Sequence, residues 1–174
     1  LMKSVYNFVV KPKGKRYNNA KKLDGGELIL NTEIFNHQYV NREAIVISTP
    51  IIGDTDIKPG DTVIVHHNVF RRWHDVKGVE RNSKAYFNKD TYFINHDQIF
   101  LYKRHDKWIA PKGYCFVIPL KATDQFNTES EKPLQGIVKY SDGTVKVNDL
   151  VGFRPNSEYE FIVDGERLFR VLSN

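Results

Sequence analysis

The chain has a single cysteine among its 174 residues, so no disulfide can form within it. That residue, Cys115, sits in Tyr114-Cys115-Phe116-Val117-Ile118 and reads as a small apolar strand residue, which points to a reducing cytoplasmic setting. Long hydrophobic runs are missing too: none approaches the roughly 20 residues needed to span a bilayer as a helix. The start, Met2-Lys3-Ser4-Val5, lacks the pattern of a signal peptide, so no membrane association is expected and the protein should stay where it is made. Leu1, ahead of Met2, reads as a cloning remnant and is set aside.

Motifs that carry chemistry are equally scarce. There is no glycine-rich phosphate fingerprint and no pair of carboxylates in a distinctive setting. Three His-Asp pairs (His74-Asp75, His96-Asp97, His105-Asp106) and the adjacent His66-His67 match no metal-ligand spacing. If His66 and His67 lie on a strand, their side chains point to opposite faces and do not share one ion. Cys115 has no evident activating base. The expectation is therefore a protein that is not an enzyme and needs neither metal nor cofactor.

What is present is a globular balance, with 40% apolar and 27% charged residues. The net charge is +5, and Lys11, Lys13, Lys15, Arg16, Lys21 and Lys22 all precede the first acid, Asp24. Because acids and bases alternate elsewhere, this run reads as a solvated basic loop rather than a nucleic-acid site. Helical periodicity is hard to find. Runs of β-branched and aromatic residues recur instead, among them Tyr6 to Val10, Ala44 to Ile47, Thr62 to Val65, Tyr92 to Ile94, Cys115 to Ile118 and Phe161 to Val163. Pro59-Gly60-Asp61, Asp142-Gly143 and Asp164-Gly165 supply tight turns between them, which predicts an all-β barrel or sandwich.

The order of these runs repeats. Phe8-Val9-Val10 matches Phe116-Val117-Ile118 at an offset of 108, and Ile45-Val46 matches Ile137-Val138 at 92. Ile57-Lys58-Pro59-Gly60-Asp61 matches Val145-Lys146-Val147-Asn148-Asp149 at 88. Tyr92-Phe93-Ile94 with Ile99-Phe100 matches Phe161-Ile162-Val163 with Leu168-Phe169, the last pair at 69. A tandem duplication is predicted, with domains at 1–106 and 107–174 and a first copy lengthened before Ile45 and again between Asp61 and Ile99.

Read in order, the first copy resembles the GroES-type co-chaperonin family. Phe8-Val9-Val10-Lys11-Pro12 is similar to the family's opening strand. A basic stretch then leads to Gly25-Gly26-Glu27-Leu28-Ile29-Leu30-Asn31, which resembles its mobile loop, where a Gly-Gly pair precedes an aliphatic triplet. Arg42 to Ile47 and Ile57 to Val65 resemble the next strand and the Lys-x-Gly-Asp-x-Val block, and Asp97 to Leu101 the closing strand. The resemblance covers most of residues 5–104 and, more weakly, 109–173. It implies two tandem GroES-like β-barrel domains, the first with the mobile loop and the second without. It also implies docking on a GroEL-type chaperonin through Gly25, Gly26, Glu27, Leu28, Ile29 and Leu30. Pairing between subunits of a homo-oligomeric ring would run through Phe8, Val9, Val10, Ile99, Phe100 and Leu101. The cytoplasm, or a host's cytoplasm if a phage encodes the chain, would be its place.

The loop's physics is consistent with this. Gly25 and Gly26 permit positive φ, while Leu28, Ile29 and Leu30 are costly to leave exposed, so residues 15–41 are expected to be mobile until a partner orders them. The chain also departs from the family. Pro50 to Asp56 is short for a roof hairpin, and the insertion Asn68 to Asp90, with Arg71, Arg72, Trp73, Tyr86 and Phe87, has no counterpart. Thr123-Asp124-Gln125-Phe126-Asn127 of the second copy holds no aliphatic triplet and is not expected to dock. The other reading of the sequence is a phage or bacterial structural or nucleic-acid-binding β-protein, with the cationic run and the aromatic insertion as its working surface.

Overall fold

Alternation of apolar and polar residues makes Glu43–Ser48 a strand, with Ala44, Val46 and Ser48 buried and the residues between them half-buried. Alternation does the same for Thr91–Ile94, and continuous burial for much of Phe8–Pro12, Thr62–Val65 and Ile99–Arg104, in a chain whose described residues are all-β. The computed structural model describes residues 2–16, 20–23, 26–29, 40–89, 91–121, 131–153 and 160–173. Among these there is no α-helix, and hence no helix long and apolar enough to cross a membrane. The chain divides into two compact units, Leu1–Arg104 and His105–Asn174, two residues ahead of the boundary expected from the sequence.

In the first unit β1 (Phe8–Pro12), β4 (Glu43–Ser48), β5 (Thr62–Val65), β8 (Tyr86–Asn88), β9 (Thr91–Ile94) and β10 (Ile99–Arg104) are neighbours in the order β10-β5-β4-β1-β9-β8. Two hairpins stand apart as separate two-stranded sheets: β2 (Ala20–Leu23) with β3 (Gly26–Ile29), and β6 (Arg72–His74) with β7 (Glu80–Asn82). Phe8, Phe70, Tyr92 and Phe100 are almost fully buried, and the Phe70 and Tyr92 rings meet edge to face at 4.8 Å. Buried Asp61 accepts from the Lys58 amide at 2.9 Å and from Arg104 Nη2 at 2.7 Å, tying the turn before β5 to β10.

The second unit holds β11 (Lys107–Ile109), β12 (Tyr114–Lys121), β13 (Glu131–Ser141), β14 (Leu150–Gly152), β15 (Glu160–Val163) and β16 (Glu166–Leu172). Its sheet runs β14-β13-β12-β16-β15. Cys115, Val117, Val138 and Phe169 form a buried cluster under Val145, Val151, Phe153 and Val171. Burial pushes the Cys115 thiol above its ordinary pKa, and the negative charge of Asp142 adds to the rise. Asp142 itself is a knot: it accepts from the Gly113 amide at 2.7 Å, the Ser173 hydroxyl at 2.8 Å and both the amide and hydroxyl of Thr144. Burial opposes its ionisation, but these bonds outweigh that and hold its pKa at about 2.

The two units share a pattern of hydrogen bonding. On β1 and β4, Val9 faces Ser48 and Val10 faces Val46 across a bulge, followed by Lys11 with Ile45 and Pro12 with Ala44. On β12 and β13, Phe116 faces Tyr140 and Val117 faces Val138 across a bulge, followed by Ile118 with Ile137 and Pro119 with Gly136. The turn before the next strand repeats as well. Val46 N donates to Asp61 O, Gly60 N to Val46 O and Asp61 N to Lys58 O, as Val138 N does to Asp149 O, Asn148 N to Val138 O and Asp149 N to Lys146 O. Gly60 and Asn148 both stand in the left-handed region, at φ 92° and 75°.

Three expectations are corrected. The strand offset is 107, not 108, since Val10 corresponds to Val117; the bulge fixes the register, and strand composition alone does not. The counterpart of β9 is β16, because each pairs with the opening strand: Val10 faces Tyr92, and Val117 faces Phe169. Strand β15 thus corresponds to β8, and among the described residues no strand of the second unit stands where β10 stands in the first. Finally, no ladder joins β14 to β15, or β8 to β10, so neither sheet closes into a barrel among the described residues.

Candidate docking hairpin and its base

The segment between β1 and β4 leaves the sheet and returns to it over a fixed base. Lys13 N donates to Glu43 O at 2.9 Å, and Asn41 N donates to Arg16 O at 2.8 Å. The Asn41 side chain, in a residue only 7% exposed, donates to Lys13 O and Lys15 O and accepts from the Glu43 amide. One amide thereby satisfies carbonyls on the outgoing strand and an amide on the returning one, adding to the backbone bonds that hold the two stems together.

Arg16 joins this base to the insertion. Its Nε donates to Phe70 O at 3.1 Å and its Nη1 to Asn82 Oδ1 at 2.8 Å, while the guanidinium lies 5.7 Å from the centroids of both Tyr86 and Tyr92. The sequence reading placed Arg16 in a solvated basic run; the structure instead engages it with groups 54 to 76 positions away. Nothing local in the sequence signals either Arg16 or Asn41, whose partners are remote in the chain.

Beyond the base, β2 and β3 pair antiparallel, Ala20 with Ile29, Lys21 with Leu28, Lys22 with Glu27 and Leu23 with Gly26. Of the expected docking residues, Gly26, Glu27, Leu28 and Ile29 thus lie on one strand of a hairpin outside the main sheet, and not on a strand of that sheet. Gly25 and Leu30 fall outside the described residues, as do 17–19, 24 and 31–39 of the stretch expected to be mobile. In the second unit the equivalent stems continue the β12 and β13 ladder as far as Lys121 with Glu131. Phe126 lies outside the described residues.

The residues expected to pair between subunits are placed otherwise. Phe8, Val9 and Val10 are on β1, which is flanked by β4 and β9 and offers no open edge. Ile99, Phe100 and Leu101 are fully buried, and β10 is already laddered to β5. An apolar strand such as Phe8-Val9-Val10 looks alike in sequence whether it ends a sheet or lies inside it.

The histidines take structural positions. His66 and His67 follow the end of β5 and their rings stack at 4.2 Å, so the opposite-face argument does not hold for them. Asp75 accepts from the Lys77 and Val79 amides in the β6–β7 turn; these bonds and Arg81 lower its pKa, that from Val79 contributing most. His96 and Asp97 lie in a 3-10 turn, and His105 and Asp106 are both left-handed turn residues. No group of three or more His, Cys, Asp or Glu side chains able to hold a metal occurs among the described residues. No protein-family model, curated protein or solved structure matches the chain.

Proposed function

We propose that this chain is a co-chaperonin built from two tandem GroES-like units, and that it caps a GroEL-type chaperonin ring in the cytoplasm without catalysis of its own. The observation that carries the reading is the hairpin of β2 and β3, set outside the main sheet on a hydrogen-bonded base in the first unit. A docking element needs that division: a fixed stem, and a tip free to meet a partner. Burying Leu28, Ile29 and Leu30 contributes roughly 1.5–3 kcal/mol each before ordering costs, so one tip binds weakly and several tips in a homo-oligomeric ring bind well through effective concentration. With both edges of β1 paired within the unit, assembly of that ring falls to other strands; β8 and β14 each have one strand neighbour among the described residues.

The test is co-sedimentation with a GroEL-type chaperonin, with and without nucleotide, paired with thermal melting. Ile29→Asp puts an unpaired charge into an apolar groove and should abolish capture with melting nearly unchanged, whereas Phe126→Asp should leave capture intact. A collapsed melting temperature for Ile29→Asp, or undiminished capture, would overturn the reading.

A further inference from the structure

The insertion between β5 and β9 holds a cleft that the docking reading does not use. Its volume is about 590 Å³, and its lining includes Asn68, Arg71, Trp73, Ser83, Lys84 and Gln98, with no carboxylate among the lining residues. Local bonding explains its shape. The Ser83 hydroxyl donates to Val69 O at 2.6 Å and Phe93 N donates to Ala85 O at 2.8 Å, so the chain around Ser83 to Ala85 is tied down on both sides. Gln98, also in the lining, accepts from the Asn95 amide through Oε1, so that bond does not use its NH2 group.

The charges are unbalanced there. Neighbouring Arg72 pairs with Glu80 at 3.1 Å and Arg81 with Asp75 at 3.1 Å, but Arg71 and Lys84 have no acidic partner among the described residues. Arg71 Nε is buried and has no hydrogen-bond acceptor among the described residues. An unsatisfied buried donor beside a second free cation is costly unless an anion completes it. Beside them Trp73 is 44% exposed, an unusual placing for the largest aromatic side chain. Two cations, a half-exposed indole and two side-chain amides make a set that one ligand class uses in full. A phosphate meets Arg71 and Lys84, a flat heterocycle stacks on Trp73, and the amides of Asn68 and Gln98 can bond to its edge. A simple carboxylate would satisfy the cations and leave the indole uncovered. The volume lies in the range of roughly 300–1,000 Å³ typical of small-ligand sites.

We propose that this cleft binds a nucleoside phosphate, its base against Trp73 and its phosphate on Arg71 and Lys84. Trp73 reports directly, because the other tryptophan, Trp108, is 8% exposed. Titration of the full chain with AMP should quench tryptophan fluorescence saturably. Adenosine alone and inorganic phosphate alone should each bind at least tenfold more weakly, whether or not oligo(dT) also quenches. Lys84→Gln and Arg71→Gln should each weaken AMP binding about tenfold. Lys84 is exposed, so its variant keeps the test open if the Arg71 variant misfolds. For Trp73→Ala, read by calorimetry, AMP heats should vanish. No AMP quenching, equal binding of adenosine, unchanged affinity in Lys84→Gln, or quenching by oligo(dT) only would each overturn the proposal, the last by making the surface a strand-binding one.

Discussion

Gly136 offers the sharpest test of how the second unit is packed. It is buried on β13, opposite Pro119, at the position where the first unit has Ala44 opposite Pro12. A methyl group added at Gly136 would lie 2.8 Å from the Ile118 carbonyl oxygen, 3.1 Å from Phe153 Cε1 and 3.1 Å from Val117 Cβ. The phenyl ring can tilt away. The carbonyl cannot move alone, since Ile118 is paired with Ile137 just beyond the bulge. Overpacking of this kind costs about 1–3 kcal/mol, and removal of glycine's freedom in the unfolded chain returns about 0.4–1 kcal/mol. Gly136→Ala should therefore destabilise the second unit by about 1–2 kcal/mol, which for a unit of this size lowers its melting temperature by roughly 5–15 °C. The reciprocal change, Ala44→Gly, opens space instead and should cost the first unit about 0.5–1 kcal/mol. Urea denaturation followed by hydrogen exchange at Val117 and Val138 assigns each loss to its unit. A neutral or stabilising Gly136→Ala would show that the β12 backbone yields freely at Ile118 and refute the packing argument.

Two further outcomes follow from the paired turns and from Asp142. Gly60 has open space around its Cβ position, so Gly60→Ala costs only backbone strain, about 1–2 kcal/mol; Gly60→Asn should cost less than half of that, because Asn148 holds the same conformation in the second unit, and equal losses in urea denaturation would count against the equivalence. The Asp142 carboxyl is held at about 2, below the ordinary value near 3.9; its folded pKa is the lower one, so its contribution is present above about pH 4 and lost as pH falls from there to about 2. Asp142→Asn should flatten the acid dependence of second-unit stability across that window, and an unchanged slope would refute the assignment.

The repeat was legible in the sequence where its chemistry is local. The match of Ile45-Val46 with Ile137-Val138 and that of the turn at Ile57 to Asp61 with Val145 to Asp149 give the offsets of 92 and 88 that the hydrogen bonds reproduce, because a left-handed residue followed by Asp constrains its own few neighbours. The opening strands were slipped by one residue because Phe8-Val9-Val10 and Phe116-Val117-Ile118 are alike in type; Pro12 and Pro119, each following the slipped triplet's last common valine by two, carried the correct offset. Which strand neighbours which is a property of the whole sheet, so Tyr92-Phe93-Ile94 matched Phe161-Ile162-Val163 by composition while the ladder assigns it to β16. The proposed docking residues Gly26 to Ile29 stand out as a local pattern. Their base does not, since Asn41 and Arg16 meet groups that only the folded chain brings near.

The excursion between β1 and β4 also sets a timetable for folding. The same joint, with the same bulge, is closed in the first unit by residues 36 positions apart, Val10 and Val46, and in the second by residues 21 apart, Val117 and Val138. Closure entropy grows with the logarithm of loop length, so the first joint carries an extra barrier of about 0.5 kcal/mol from this source, roughly a twofold slower search. Lengthening the excursion further would add little to that. A chain of this design can therefore vary the reach of its hairpin with small consequence for the rate at which the sheet beneath it forms, while its second repeat, with the shorter span, closes first.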